Sequence, residues 1–301
     1  MIIVTGATGR LGSRVVSGLL DRAPAGRIGV AVRDASRASA LAAQGVRVRP
    51  VDAAEPVTYA HAFKGATVVL VVSAPLLGEA GVAANRTVID AAWAAGAERV
   101  VYTSHQAAAH DSLFLPQPSH AATQDYLLAS GRPFTALRNG FYASTIENYL
   151  PGALATGTLT LPADGPVSWT AHDDLAEAAV AALLGTEIGT EAGVGTGPEE
   201  LDGITAPLSA TEAIDFDRVA EILTALTGTT IKRVVVDDDQ WRASAIERGV
   251  PEVVADIQLS MFRASRAGEF AVTDPTLAKV IGRPPLDARA TLAPAVVATR
   301  D

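Results

Sequence analysis

The stretch Met-Ile-Ile-Val-Thr-Gly-Ala-Thr-Gly-Arg-Leu-Gly (Met1–Gly12) decides the fold of this chain. Its first five residues form an apolar, β-branched run with the length of a buried strand. Glycines follow at positions 6, 9 and 12, and apolar residues then recur at helical spacing, at Leu11, Val15, Val16, Leu19 and Leu20. A strand, a glycine turn and a helix in this order are typical of the first βα unit of a dinucleotide-binding fold.

Each glycine of the turn has a separate physical task in such a unit. Gly6 permits the tight turn after the strand, and Gly9 lets the backbone approach a pyrophosphate without an intervening Cβ. Gly12 lets the helix pack closely on the sheet, while the free N–H groups at the helix N-terminus attract an anion. The alternative interpretation is an ordinary βα turn with no ligand.

The composition is that of a folded protein with a large core. Of 301 residues, 49% are hydrophobic and 19% are charged, which fits one large α/β unit with an added lobe. The net charge of −9 argues against a nucleic-acid-binding surface, and the absence of cysteine excludes disulfides and thiolate chemistry. The chain begins within the first predicted strand, and no apolar run reaches the ~18 residues of a membrane span. We therefore expect a cytoplasmic protein without a membrane segment.

The first half of the chain alternates predicted strands and helices. After the first strand, strands are predicted at Arg27–Arg33, Val46–Val51, Thr67–Ser73, Arg99–Thr103 and Phe134–Arg138, and helices at Ser36–Gln44, Val57–Phe63, Ala80–Ala95 and Thr123–Ser130. This alternation predicts right-handed crossovers and an α/β fold with a doubly wound parallel sheet. Ligands of such sheets lie beyond the carboxyl ends of the strands, which singles out Gly6–Gly12, Arg33, Asp52, Ser73–Pro75 and Thr103–His105.

The second half is less regular and is assigned mainly to a smaller lobe. Strands are predicted at Thr158–Pro162, Val167–Thr170 and Ile231–Val236, and helices at Phe216–Thr227, Gln240–Arg248 and Glu252–Ala267. A further helix, at about residues 173–185, is expected to return to the sheet, with Asp173 and Asp174 as its N-terminal cap.

Arg33, at the end of the second predicted strand, bears on which nicotinamide cofactor binds. An NAD site usually carries an acidic residue there, whereas a guanidinium can pair with a 2′-phosphate and stack on adenine. We therefore favour NADPH over NADH, with a solvated loop arginine as the alternative. Asp34 would repel a phosphate if its carboxylate pointed inward. Asp52 is expected either beside the adenine or as a helix N-cap.

Several segments together resemble one known family. They are TGATGRLG (5–12), AVRDASRASALAAQGVRV (31–48), YTS (102–104) and LLASGRPFTALRNGFY (127–142). This set resembles the NmrA-like atypical short-chain dehydrogenases, and within them the bacterial type 2 NAD(P)H:quinone oxidoreductases. The segments DRVAEILTALTG (217–228) and KVIGRPP (279–285) extend the resemblance over nearly the whole chain.

The resemblance implies a division of the chain and a set of cofactor contacts. Members bind NADP(H) in an N-terminal Rossmann domain, here residues 1–150, and a smaller lobe, here mainly residues 151–301, covers the nicotinamide and binds substrate. The implied cofactor residues, with Asp52 and Thr103 added by the strand-end rule, are Gly6, Ala7, Thr8, Gly9, Arg10, Leu11, Arg33, Asp52, Ser73, Ala74, Thr103, Asn139, Gly140 and Phe141. An arginine expected in the segment 170–172 is His172 here, a departure that bears on substrate choice or phosphate contacts.

The usual catalytic pair of short-chain dehydrogenases is missing. None of the three lysines, Lys64, Lys232 and Lys279, lies four residues after a tyrosine, so carbonyl reduction by a Tyr/Lys pair is excluded. A quinone asks less, because hydride transfer to it needs chiefly proximity and orientation. His105 and Tyr142 are the candidate proton donors or substrate-positioning residues, and a structural role is as good an interpretation of each.

Two functions of different classes fit these observations. One is an NADPH-dependent reductase of quinones or similar conjugated acceptors, and the other is a non-catalytic NADP-binding redox sensor of the NmrA type. An open apolar pocket beside the nicotinamide favours the enzyme, and a filled one favours the sensor. Residues 111–118 are expected to cover the site as a loop, and the spacing of His105, His110 and His120 predicts no metal site. We also expect the protein to form a homodimer.

Overall fold

The computed structural model describes residues 1–188 and 199–300. Its strands are β1 (Ile2–Thr5), β2 (Ile28–Val32), β3 (Arg47–Pro50), β4 (Val68–Val71), β5 (Arg99–His105), β6 (Phe134–Asn139), β7 (Phe141–Tyr142), β8 (Thr158–Pro162), β9 (Trp169–Thr170), β10 (Gly203–Ile204) and β11 (Lys232–Val236). Seven of them form one parallel sheet in the order β3-β2-β1-β4-β5-β6-β10. The predicted doubly wound parallel sheet is therefore confirmed.

Helices cover both faces of this sheet. The helices of the described residues are α1 (Arg10–Leu20), α2 (Ser39–Ala43), α3 (Val57–Ala62), α4 (Gly78–Ala94), α5 (Gln117–Ala129), α6 (Leu150–Thr156), α7 (His172–Ile188), α8 (Phe216–Thr227), α9 (Asp238–Glu247), α10 (Glu252–Arg266), α11 (Thr276–Ile281) and α12 (Ala288–Arg300). Helix α7 packs between α1 and α11 on one face, and α4 packs between α3 and α5 on the other.

The central strands are apolar throughout because both of their faces are buried. In β1, Ile2 and Val4 belong to the apolar cluster under α1 and α7, whereas Ile3 belongs to the cluster under α3 and α4. The same alternation runs along β4, where Val68 and Val69 lie on opposite faces. Successive side chains of a strand point to opposite faces, so burial on both sides gives a continuous apolar run.

A third apolar cluster lies in the C-terminal part of the chain. Its largest members include Trp169, Phe216 and Phe262, which are almost fully buried. Two short parallel pairs, β8 with β11 and β7 with β9, border this cluster, together with helices α6, α8, α9, α10 and α12. The domain boundary at residue 150 stays a prediction.

Helix α7 lies on the central sheet, although it follows β8 and β9 in the chain. It packs on α1 and contacts β4, β5 and β6. The predicted cap is wrong in detail, because the helix begins at His172 and both aspartates lie in its first turn. Asp174 is fully buried, where its carboxylate lies 2.8 Å from Arg283 and accepts a hydrogen bond from the Leu286 N–H. It therefore fixes the C-terminal segment to the sheet-covering helix.

The start of α5 also differs from the prediction. The helix begins at Gln117, six residues before the predicted start at Thr123, so the covering loop is shorter than residues 111–118. Pro118 is tolerated because it lies in the first turn, where a backbone N–H has no intrahelical acceptor. Among the described residues, none of the helices has the length and apolar character needed to cross a membrane.

Candidate active site

The glycine turn joins β1 to α1 at the carboxyl edge of the sheet. Gly6 has φ = +61°, a left-handed conformation that favours glycine, and its carbonyl oxygen accepts the Gly9 N–H at 2.9 Å. A Cβ on Gly12 would lie 2.2 Å from this carbonyl oxygen, so only glycine allows the helix to approach so closely. A Cβ on Gly9 would meet only the same oxygen, at 3.3 Å, so the space beyond Gly9 is open.

The side chains of the other turn residues point away from that space, so their backbone faces it. Ala7 and Leu11 are buried in the core beneath α1, and Thr8 is half-buried. Helix α1 begins directly after Gly9, with no side-chain cap and no acidic residue in its first turn. Its first N–H groups and the positive end of its dipole therefore face the open space, as an anion site requires.

The chain that leaves β4 is held across the strand ends by side chains. The Thr103 hydroxyl oxygen accepts the Ser73 N–H at 2.9 Å, and the Asn85 carbonyl oxygen accepts the Ala74 N–H at 2.8 Å. Thr103 and Asn85 are both buried, so this arrangement is rigid. Ser73, Ala74 and Thr103 thus lie together at the carboxyl edge, as the sequence predicts.

Asn139 ends β6 directly opposite His105 on β5. Its side chain is 1% exposed, and neither amide atom has a hydrogen-bond partner of ordinary geometry among the described residues. Gly140 follows, and a Cβ there would lie 2.1 Å from the Thr170 hydroxyl oxygen where β7 meets β9. A buried amide without partners is uncommon in folded proteins and marks Asn139 as a position where a ligand can bind.

Arg33 lies at the end of β2 with its guanidinium exposed. Over residues 1–188 and 199–300 it has neither an ion pair nor a side-chain hydrogen bond. The neighbouring Asp34 carboxylate is engaged by its own turn, where it accepts the Ser36 N–H at 2.9 Å and the Ser36 hydroxyl at 2.6 Å. These hydrogen bonds lower the pKa of Asp34. Arg37 is exposed in the same turn.

Asp52 follows β3 and forms a local turn. Its carboxylate accepts the Ala54 N–H at 2.8 Å, and the Thr58 hydroxyl oxygen accepts the Asp52 N–H at 2.9 Å. The N-cap of α3 is Pro56, so the alternative role of Asp52 as a helix N-cap is wrong. The position beside the adenine stays a prediction.

Tyr142 and His172 stack on each other at the edge of the glycine turn. Their ring centroids are 4.4 Å apart. Burial lowers the pKa of His172 to about 4, with the nearby Arg14 and Arg10 adding to the effect. Burial also raises the pKa of Tyr142, an effect that the nearby Asn139 amide opposes. Both rings are therefore neutral at physiological pH.

Arg10 connects the glycine turn to the C-terminal part of the chain. Its guanidinium lies 2.7 Å from the Glu147 carboxylate, in the 3-10 helix Ala143–Tyr149 that follows β7. Arg14, one turn further along α1, lies 2.5 Å from Asp173 at the start of α7. These ion pairs are partly exposed, so solvent screens them, and they contribute orientation more than stability.

Aromatic rings enclose His105 at the end of β5. The imidazole centroid is 5.2 Å from that of Phe141, 5.7 Å from that of Phe270 and 6.0 Å from that of Phe114. Phe141 and Phe270 are themselves in edge contact at 4.9 Å. We call these three phenylalanines and His105 the aromatic enclosure. It brings together chain from four separate parts of the sequence.

The protonation of His105 follows from its surroundings. Loss of hydration inside the enclosure lowers its pKa well below the usual value, and the nearby His120 and Arg138 lower it further. The Ala107 N–H, which can only donate, lies 3.3 Å from Nδ1, and the Gln117 side-chain amide lies 2.5 Å from the same atom. His105 is therefore neutral with its proton on Nε2, so it offers one N–H donor and no positive charge.

The other histidines do not form a metal centre with His105. Burial lowers the pKa of His120 to about 4, and its Nδ1 lies 3.0 Å from the Tyr102 hydroxyl. His110 is exposed and lies 2.8 Å from Asp125, outside the enclosure. Within the part of the chain that the structure describes, no group of three or more potential metal ligands comes together.

Three residues of the site were missed by sequence reasoning. Phe114 lies in the segment predicted to cover the site, and that position was its only signal. Gln117 was assigned to a loop, whereas the first turn of α5 aims its amide at His105. Phe270 follows α10, and nothing in its local sequence indicates proximity to β5.

The sheet order and the glycine turn define the class of protein. Strands in the order β3-β2-β1-β4-β5-β6, with a glycine turn after β1, form a Rossmann-type dinucleotide-binding fold. The chain belongs to the NmrA-like family, whose sequence model matches residues 1–283. This confirms the family predicted from the sequence.

Relatives within this class are similar over nearly their whole length. Quinone oxidoreductase 2 of Escherichia coli K12 is 34% identical over 289 residues, which cover 94% of each chain. An NAD(P)H azoreductase of Xenophilus azovorans is 31% identical over 285 residues, again 94% of each chain. The crystal structure of the Escherichia coli NADPH-dependent quinone oxidoreductase in complex with NADPH matches all of both chains, with a TM-score of 0.86 and 30% identity.

Proposed function

We propose that the protein is an NADPH-dependent oxidoreductase that transfers hydride to a quinone or a similar conjugated acceptor. The observation that carries this proposal is the glycine turn at the carboxyl edge of the sheet, open beyond Gly9, with a neutral His105 two strands away along the same edge. The names of the relatives, a quinone oxidoreductase and an azoreductase, support the same class of reaction.

The residues at the sheet edge fit NADPH. The open space beyond Gly9, the uncapped N-terminus of α1 and the unpaired Arg33 suit a pyrophosphate and a 2′-phosphate. We assign the backbone of Gly6–Leu11 to the pyrophosphate and Arg33 to the 2′-phosphate. We assign Asp52 to a position beside the adenine. We assign Ser73, Ala74 and Thr103 to the middle part of the cofactor.

The nicotinamide end is assigned to the segment after β6. The buried Asn139 amide can bind the carboxamide, Gly140 lets the chain pack closely against Thr170, and Phe141 forms one wall. The bound cofactor supplies the hydride. Phe141 belongs to both the assigned cofactor residues and the enclosure, so its ring would help to orient the nicotinamide.

The chain's own contribution to the reaction is orientation and exclusion of water. Phe114, Phe141 and Phe270 pack against one another around His105, so they hold its imidazole in place and keep water away from it. His105 can donate a hydrogen bond from Nε2 to an acceptor oxygen, but a neutral imidazole holds no acidic proton at physiological pH. Hydride transfer to a quinone gives a delocalised hydroquinone anion, which water can protonate, so no tuned acid is needed.

Tyr142 has a smaller proposed part. Its phenol stays protonated because burial raises its pKa, so it can orient a neighbouring group but is a poor proton source. Its stacking on His172 gives it a fixed position beside the glycine turn. We assign it to substrate or nicotinamide positioning.

The finer organisation of the protein also belongs to this proposal. We propose a Rossmann domain of residues 1–150, joined by α7, and a substrate-binding lobe formed mainly by residues 151–301, supported by the separate apolar cluster in that part of the chain. A cytoplasmic location and a homodimer stay predictions. Cell fractionation tests the first, and sedimentation of the purified protein tests the second.

The test is NADPH consumption with a panel of quinones and simple carbonyl compounds, followed by the absorbance of the reduced cofactor. Quinones should be turned over and simple ketones and aldehydes should not, because an alkoxide-like transition state needs an acid or strong electrostatic help. His105→Ala and Tyr142→Phe should each cost less than the roughly 10²–10⁴-fold typical of losing a general acid. His110→Ala, an exposed histidine outside the enclosure, is the matched control.

Two results would contradict the proposal in different ways. Tight NADPH binding without turnover of any quinone would favour the NADP-binding sensor. A loss of about a thousandfold in His105→Ala or Tyr142→Phe would reveal a dedicated acid instead.

A further inference from the structure

A second concave region lies in the C-terminal part of the chain. Its volume is about 840 Å³, and its walls come from α6, β8, α9 and the start of α10. The lining includes Tyr149, Gly152, Trp241, Ser244, Arg248 and Val254. None of the lining residues belongs to the glycine turn, the strand ends or the aromatic enclosure. We call this region the lobe cavity.

The lobe cavity has the size and character of a small-molecule site. Its volume falls within the roughly 300–1,000 Å³ of such sites, which have mostly apolar walls and few polar groups. Trp241, Leu161 and Ala153 supply buried apolar surface, and threonine, serine and glutamine side chains supply neutral polar atoms. Arg248 is the one charged residue in the described lining, which contains no carboxylate.

Tyr149 contributes its ring to this wall. Its hydroxyl is buried and has no partner among the described residues. The ring is held in edge contact with Phe216, with centroids 5.5 Å apart, so the hydroxyl has a fixed position. Burial raises the pKa of Tyr149, so the phenol is neutral and can donate a proton in a hydrogen bond. Since solvent does not reach this hydroxyl, the part of Tyr149 that faces the cavity is its ring.

Arg248, the C-cap residue of α9, differs from Arg242 within that helix. Arg242 is saturated by acids, with Asp256 at 2.5 Å and Glu252 at 2.6 Å. Arg248 is exposed, donates one hydrogen bond to the Ser244 hydroxyl at 2.5 Å, and has no ion pair among the described residues. Its positive charge is therefore available to a ligand at the cavity wall.

We propose that the lobe cavity is a second ligand site, separate from the proposed NADPH and acceptor sites, that binds a small apolar molecule with one anionic group. The apolar walls, with the Tyr149 ring among them, take the body of the ligand, and Arg248 pairs with its anionic group. A cation would face the positive charge of Arg248 without a carboxylate partner, and a polyphosphate would find a single cation in the lining. Both classes therefore fit less well.

The test uses two fluorescent probes that share an apolar body and differ in charge. The full-length protein, saturated with NADPH, is titrated with the monoanion anilinonaphthalene sulfonate and with its neutral parent, phenylnaphthylamine. Both dyes should bind with one-to-one stoichiometry. Arg248→Gln should weaken the anionic dye about two- to fivefold, the effect of an exposed ion pair, and leave the neutral dye unchanged.

Variants of the wall separate this cavity from other apolar surface. Gly152→Leu should weaken both dyes at least about tenfold, because it fills lining space where an added Cβ meets nothing within 4 Å. Ala155→Leu, an exposed position of the same helix outside the lining, is its control. Val254→Glu should weaken only the anionic dye, and the neighbouring Val253→Glu, which adds the same charge outside the lining, should not.

Displacement of the dyes by NADPH would overturn the proposal, since the probes would then occupy the proposed cofactor site. The proposal would also be overturned if each dye bound Gly152→Leu as tightly as the parent protein. Should Gly152→Leu fail to fold by circular dichroism, the charge variants at the exposed Arg248 and Val254 decide the matter. A response of both dyes to Arg248→Gln, or of neither, would then refute the assignment.

Discussion

Replacement of Arg33 by alanine tests how the protein distinguishes NADPH from NADH. The guanidinium lies at the end of β2, exposed and without an ion pair in the described chain, so its loss removes no contact that supports the fold. We expect Arg33→Ala to weaken NADPH binding and to leave NADH binding unchanged, because only NADPH carries the 2′-phosphate. The Asp34 carboxylate, held by Ser36, remains in place in the variant.

The size of the effect follows from the exposure of Arg33. A hydrogen bond to a charged group is worth about 1.5–3 kcal/mol, and exposure to solvent and salt reduces this value. A loss of about 1–2 kcal/mol corresponds to roughly 5- to 30-fold in the dissociation constant. The loss should shrink at high salt, because screening weakens an exposed charge pair.

Isothermal titration calorimetry with both cofactors measures this preference directly. Arg22→Ala removes the same charge after α1, at the opposite edge of the sheet, and is the matched control for net charge. The reasoning is refuted if the parent protein binds NADPH and NADH equally. It is also refuted if Arg33→Ala weakens both cofactors by the same factor.

Three further variants test Gly9 and Gly12 in the turn and the half-buried His120. Gly9→Val should abolish NADPH binding while circular dichroism shows a folded protein, because its Cβ enters the open space and meets only one protein atom. Gly12→Ala should instead lower the free energy of unfolding by about 2 kcal/mol, measured with urea against Gly26→Ala, whose Cβ meets nothing. His120 has a folded pKa of about 4 against 6.5 in the unfolded chain, so the folded protein binds fewer protons at this residue. Lowering the pH from about 8 to about 5 should therefore reduce the free energy of unfolding by about 2 kcal/mol, a loss that His120→Gln should remove.

The parallel sheet was predictable because its signals are local. The strands from β1 to β6 coincide with predicted strands to within two residues at each end. The signal is clearest in β1, β2 and β4, which are buried on both faces and form continuous apolar runs. The glycine turn was equally readable, since the positive φ of Gly6 and the close approach at Gly12 each demand that residue type. Strand-end positions such as Ser73 and Thr103 followed from parallel topology alone.

The start of α5 could not be read from residue types. Prolines at positions 116 and 118 favour a break in a helix, yet Pro116 lies before α5 and Pro118 within its first turn, where neither removes a needed hydrogen bond. The error had a consequence for the site. A loop assignment hid Gln117, whose amide contacts His105 only because the helix begins there.

The chemistry of His105 depends on contacts that no local pattern encodes. Hydrogen bonds to its backbone hold Phe270 in the enclosure. Its carbonyl oxygen accepts the Ser168 N–H at 3.0 Å and the Gln106 side-chain amide at 3.2 Å. Periodicity reports that such a residue is buried but not which other rings it meets. Yet burial among those rings lowers the pKa of His105, so this candidate acid is a neutral hydrogen-bond donor. A site without a charged acid suits an acceptor that needs only hydride and alignment, so the choice of a quinone over a ketone rests on tertiary packing.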